Sequence, residues 1–134
     1  MELIIGGAYQ GKTQYAKEKY NLTEADIHIC DSVEIDFSKK CVADLEKFTF
    51  ACVQNNFDAV EFFKHNRHLW SDRIVICCDI FCGVVPMGAE NRKWRQETGR
   101  LCQYLSKEAE SITRIFCGVE QKLKRVKFIL SVTD

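Results

Sequence analysis

The sequence predicts a three-layer α/β domain with a mostly parallel central sheet. Short apolar runs of strand length alternate with stretches of helical spacing, the order that builds β-α-β units. One run, "RIVICC", is continuously apolar, as expected of a strand covered on both faces. The 134 residues are 46% hydrophobic and 28% charged, enough apolar material for a real core in one domain.

Glu2 to Ile5 reads as a short buried strand, and Lys12 to Tyr20 as a helix ending near Asn21. "ADIHICDS" reads as a second strand, with Ile27 and Ile29 on one face and His28 on the other. Val42, Leu45, Phe48 and Cys52 then fall at helical spacing, and a second helical stretch runs from about Asp58 to Trp70. After "RIVICC" and a Gly/Pro loop, a long helix is expected from about Glu90 to Glu110. Its apolar side carries Trp94, Leu101 and Leu105, with Arg92 and Arg95 turned away. "ITRIFCG" is another strand. The tail "RVKFILSV" alternates, so Val126, Phe128, Leu130 and Val132 would line one face of a last strand. No repeat or linker interrupts the chain, which reads as a single domain over residues 1–134.

Nineteen basic and nineteen acidic side chains cancel, which removes the electrostatic case for a nucleic-acid partner. The longest apolar stretch, "IVICCDIFCGVVPMGA", is broken by Asp79, Gly83, Pro86 and Gly88, so no membrane partner is expected. With no visible signal peptide, the expected location is cytoplasmic. Eight cysteines are present without a Cys-x-x-Cys pair or zinc-finger spacing. They read as reduced, small, buried hydrophobes.

The stretch that carries chemistry is "LIIGGAYQGKTQYA". Gly6, Gly11, Lys12 and Thr13 satisfy G-x-x-x-x-G-K-[ST], between a strand and a helix. Glycines let such a loop point its N–H groups inward as a nest for phosphate oxygens. The helix N-terminus adds its dipole, and the lysine reaches the β- and γ-phosphates. The threonine hydroxyl can reach Mg²⁺. A fold of the P-loop NTPase type follows, with Gly6, Gly7, Ala8, Tyr9, Gln10, Gly11, Lys12 and Thr13 around ATP or GTP. Such a site also needs a carboxylate at a neighbouring strand end. Asp79 closes "IVICCD" and Asp31 closes "IHICD", so Thr13, Asp79 and Asp31 are the candidate Mg²⁺ residues.

The loop "GGAYQGKT", with "CDIFCGVVP", "RKWRQETGRLCQYLS" and "ITRIFCG", resembles the CobU family. These are bifunctional adenosylcobinamide kinases / adenosylcobinamide-phosphate guanylyltransferases of corrinoid biosynthesis. Asp79, Gly83, Val85, Pro86, Arg92, Trp94, Arg95, Gly99, Arg100, Gln103 and Leu105 fall in register with the family pattern over roughly half the chain. The resemblance implies a kinase transferring a γ-phosphoryl group from ATP or GTP to a corrinoid hydroxyl. Lys12, Asp79, Arg92 and Arg95 would be its catalytic residues, Arg100 would help hold the nucleotide, and a homo-oligomer is implied. On periodicity alone, the three arginines read as a solvated helix face or as partners of Glu97. The family's middle segment, with its guanylylated histidine, is missing. His65 and His68 in "KHNRHLW" read instead as solvent-facing residues at a helix end. Cys102 and Ser106 stand where the family has asparagine and alanine. Two other readings stand beside the kinase: a non-catalytic or regulatory nucleotide-binding module from the same family, and a cysteine-based metal or redox protein.

Overall fold

The computed structural model describes residues 1–8, 10–79 and 88–125. Strand β1 (Glu2–Gly6) and helix α1 (Lys12–Tyr20) flank the glycine loop as expected. Asn21 stops α1 by turning left-handed, at φ 56°, and its N–H donates to Lys17 O. One 3₁₀ turn (Glu24–Asp26) leads into β2 (Ile27–Ile29). There follow β3 (Cys41–Ala43), α2 (Leu45–Gln54), α3 (Ala59–His65), the short α4 (Arg67–Trp70) and β4 (Ile74–Cys78). Helix α5 (Ala89–Glu108), β5 (Ser111–Phe116) and β6 (Val119–Arg125) complete the described chain. None of these helices is long and apolar enough to cross a membrane.

The six strands form one sheet in the order β2-β3-β4-β1-β5-β6. All neighbours are parallel except β5 and β6. From β1 the chain crosses to the β2 edge, then returns through β3 and β4, and finally passes β1 to reach β5. Crossovers of one hand must place helices of opposite travel on opposite faces. Accordingly, Ile4, Ala43, Ile76 and Ile115 cluster with Ala16 of α1 and with Leu22. On the other face, Leu3, Val42, Val75 and Ile112 cluster with Leu45, Phe48, Leu101 and Leu105. Alternate residues of each strand serve the two cores, as the two-residue pleat requires.

The larger core is centred on Phe63, whose ring lies 5.8 Å from Phe37, 5.6 Å from Phe48 and 5.6 Å from Trp70. The buried Trp70 indole N–H donates to Phe63 O at 2.8 Å, so this core hides no unpaired indole donor.

Two sequence expectations change. Val42 belongs to β3, not to a helix, and Asp44, left-handed at φ 58°, separates that strand from α2. Val42 mimicked a helical position because β3 and α2 point apolar side chains into the same core. The helix expected over 58–70 breaks at Asn66, whose φ is −112° and whose side chain donates to Phe62 O at 2.8 Å. Ile29 is 54% exposed although it shares a face with buried Ile27, because β2 is the sheet edge and Ile29 its last residue. The strand expected over 125–132 lies, apart from Arg125, outside the described residues. The strand described in this region is β6, joined to β5 by a turn at Cys117 and Gly118 with φ 51° and 79°.

Phe63→Ala should cost about 3–5 kcal/mol, the range for deleting a buried phenylalanine. Urea unfolding monitored by Trp70 and Trp94 fluorescence would measure it, and a loss under about 1 kcal/mol would contradict this packing. Cys117→Asn should move the midpoint the other way, by about 0.5–1 kcal/mol. Asparagine tolerates the left-handed position of a two-residue hairpin turn better than cysteine does.

Candidate phosphate-binding site

Three strand ends meet at Gly6. It pairs with Cys78 of β4, and Asp79 N–H donates to its carbonyl at 2.7 Å. On the other side, a Cβ built on Gly6 would stand 2.5 Å from Ile115 O of β5. The obstacle is backbone in the middle of a sheet, so only glycine fits. At the far end of the loop Gly11 adopts φ 88° and opens α1, its carbonyl accepting from Tyr15 N–H at 2.9 Å. The first turn of α1 holds no acidic residue, so the helix dipole meets no carboxylate of its own. Lys12 folds back over the loop and donates its ammonium to Gly7 O at 2.7 Å. Thr13, half-buried, follows it; Ala8 is exposed, and Tyr9 lies outside the described residues.

Gln10 is gripped by the β5–β6 hairpin. Gly118 N–H donates to its carbonyl at 2.9 Å, and Cys117 N–H to its side-chain Oε1 at 2.5 Å. A Cβ on Gly11 would come within 3.7 Å of Gly118 Cα. The loop therefore rests against a turn more than a hundred residues away in sequence.

Carboxylates gather at the end of β4. Asp79 follows that strand directly. Glu46, in the first turn of α2, accepts Cys78 N–H on Oε1 at 2.9 Å. Its own carbonyl accepts the Trp94 indole N–H at 2.8 Å. Nearby, the buried hydroxyls of Thr49 and Thr98 lie 2.6 Å apart, and Thr98 also donates to Trp94 O at 2.8 Å. This polar seam joins α2 to α5 and holds Glu46 in place. Burial pushes the Cys78 thiol up; Lys12 pulls the other way, and Glu46, Asp79 and Asp44 add to the push. One ammonium and three carboxylates thus share the field at this strand end.

Glu46 and Asp44 were missed from sequence. The signal existed, an acidic residue on each side of Leu45 in "ADLEK", but it means something only once β3 is seen to end at Ala43. Asp44 also lies 3.4 Å from Lys47. Asp31 is exposed and follows β2, with β3 lying between β2 and β4. Two strand spacings put its strand end about 10 Å from that of Asp79. It lines a separate cavity of about 460 Å³ with Lys47, Phe50, Gln54 and Trp94.

Among the arginines, Arg92 is exposed in the first turn of α5 and Arg95 is half-buried one turn on. Arg100 sits about 12 Å further along the axis than Arg92. Its guanidinium donates to both oxygens of Glu97, at 2.8 and 3.0 Å, which raises its pKa further. Gly83, Val85 and Pro86 lie outside the described residues. His65 ends α3, exposed, with Nδ1 2.7 Å from Glu61 O.

The seven described cysteines are free thiols. Burial pushes Cys30, Cys41 and Cys52 up to about 12, the behaviour of inert core hydrophobes. Cys117 departs from that expectation, being exposed in the hairpin turn. Cys82 lies outside the described residues.

Among the described residues, no three His, Cys, Asp or Glu side chains converge as a metal cage. Mg²⁺ in nucleotide sites typically takes only one or two protein carboxylates and completes its shell with phosphate and water. The hard oxygen donors of Thr13 and Asp79, and the side-chain-free approach at Gly6, fit that requirement. No protein-family model and no curated protein matches the chain. What the site does must therefore be read from its own chemistry: a mostly parallel α/β sheet with a glycine-rich strand-to-helix turn under a lysine.

Gly6→Ala should destabilise the chain by about 1–3 kcal/mol, since β5 backbone has to withdraw. A denaturation midpoint unchanged from wild type would show that β1 and β5 are not held at this separation.

Proposed function

We propose that the chain is a P-loop nucleotide-binding protein that acts as a small-molecule kinase. It would transfer the γ-phosphoryl group of ATP or GTP to a corrinoid hydroxyl, in the manner of the adenosylcobinamide kinases it resembles. The observation that carries this reading is the loop from Gly6 to Thr13. It joins a buried parallel strand to a helix N-terminus, with the Lys12 ammonium folded over it at 2.7 Å from Gly7 O. In this reading Lys12 exchanges that carbonyl for phosphate oxygens, and the backbone of Gly6, Gly7, Ala8, Tyr9, Gln10 and Gly11 surrounds them. Thr13 and Asp79 would hold Mg²⁺, which neutralises phosphate charge when bound. Glu46, beside Asp79 at the end of β4, is placed to accept the proton of an acceptor hydroxyl. Arg92 and Arg95 bring positive charge from the start of α5. Guanylyl transfer is not part of the proposal, because the histidine segment is absent from the sequence. We place the protein in the cytoplasm, acting as a homo-oligomer on small molecules.

A second reading, a nucleotide-binding module without turnover, is favoured by one observation. Arg100 is engaged by Glu97 rather than free to meet a nucleotide.

Titration calorimetry with Mg-ATP and Mg-GTP tests both readings at their common root. Lys12→Ala should weaken binding about 10- to 100-fold, the loss of one charge-assisted hydrogen bond. Equal affinity in the two proteins would remove the nucleotide reading altogether. Where binding is lost in the variant, phosphorylated product on adding adenosylcobinamide separates the kinase from the silent module.

A further inference from the structure

Cys77 and Cys102 come from different elements, β4 and α5, and their sulfurs lie 3.8 Å apart. Cys77 is 1% exposed and belongs to the core between sheet and helix. Cys102 is half-buried and packs against that core from its rim. A disulfide is about 2.05 Å long, so the gap to close is about 1.8 Å. The pair therefore combines a shielded thiol, a half-buried partner at the rim of the core, and near-bonding proximity. Such pairs are where oxidation stops at a reversible disulfide, because the second thiol captures the first before further oxygen is added.

The geometry points to a dithiol redox site, in which Cys102 reduces a peroxide and Cys77 resolves it as a Cys77–Cys102 disulfide. In the first step the Cys102 sulfur attacks one oxygen of hydrogen peroxide. The O–O bond breaks, the sulfur becomes S–OH, and the departing hydroxide takes the thiol proton to leave as water. In the second step the Cys77 sulfur attacks the Cys102 sulfur. The S–S bond forms as the S–O bond breaks, and the hydroxide leaves as a second water with the Cys77 proton. The two thiols together lose two electrons and two protons, and one peroxide becomes two waters. Thiol reductants reverse the reaction by exchange. The new bond ties α5 to β4 one residue before Cys78, so the oxidised state would pin the helix bearing Arg92 and Arg95 to the strand that leads into Asp79. The chemistry at sulfur does not depend on nucleotide binding and is tested without it.

The chain of residues 1–134 is treated with a small excess of hydrogen peroxide, its free thiols are blocked, and it is digested with trypsin without reduction. Residues 74–92 and 101–107 should appear as one cross-linked species, released by dithiothreitol. The first peptide also holds Cys78 and Cys82, so the mapping is repeated in Cys78→Ser and Cys82→Ser, where the link should persist. Cys77→Ser and Cys102→Ser should each abolish it. Oxidation of the exposed Cys117 with no 74–92 to 101–107 link in wild type would overturn the proposal, whether or not the serine variants fold. So would a link that survives Cys77→Ser.

Discussion

Gly6 has no room for a side chain, and the site's geometry follows from that. β1 is the inner strand on which β4 and β5 both pair, and Gly6 at its end lies between Cys78 of β4 and Ile115 O of β5. Ile115 O closes one side, and Asp79 N–H bonds to the glycine carbonyl on the other. Because the chain passes this point with no Cβ, the end of β1 can lie this close to the β5 backbone. Lys12, a full loop later, then returns above Gly6 and Gly7. The close approach also fixes where Asp79 leaves β4, since its N–H is committed to β1.

Elements with long, unmixed signals were legible in the sequence. β1, β4 and α5 were read close to their observed limits, because each has a continuous apolar run or several turns of consistent periodicity; α1, which buries only Ala16, was read from the glycine loop that opens it and the Asn21 that ends it. β3 failed on length: three residues are too few to show alternation, and Val42 faces the same core as α2, so it completed a helical pattern by accident. The break at Asn66 was hidden for a related reason. Phe63 and Trp70, on either side of it, both reach the aromatic core, and seven residues is close to two helical turns. Ile29 could not be placed because edge position is a property of the whole sheet.

The candidate site divides along the same line. The loop from Gly6 to Thr13 and the carboxylate of Asp79 were legible because they are local: a spacing, and the residue that directly follows an apolar strand. Glu46 was not, since its position depends on α2 docking beside β4 and on Trp94 and Thr98 reaching across from α5. Arg100 shows the reverse case. Its partner Glu97 is three residues away on the same helix, so the ion pair was readable from spacing as the alternative to a nucleotide contact. Where a local partner and a distant ligand compete for one cation, the local partner is favoured whenever the ligand is absent.

The grip of the β5–β6 turn on Gln10 changes what the glycines mean. Gly11 supplies the backbone freedom for a left-handed residue, but freedom alone would leave the loop many shapes. Two hydrogen bonds from Cys117 and Gly118 select one of them. At about 0.5–1.5 kcal/mol each, such bonds are comparable to the entropy of ordering one residue, which is the scale on which a short loop is tipped from many conformations to one. The turn can donate both N–H groups because its two residues take positive φ, a conformation that costs Cys117 some strain. Strain at an exposed hairpin thus helps to hold the glycine loop in one shape, and that shape is set by tertiary contact as much as by the glycine spacing.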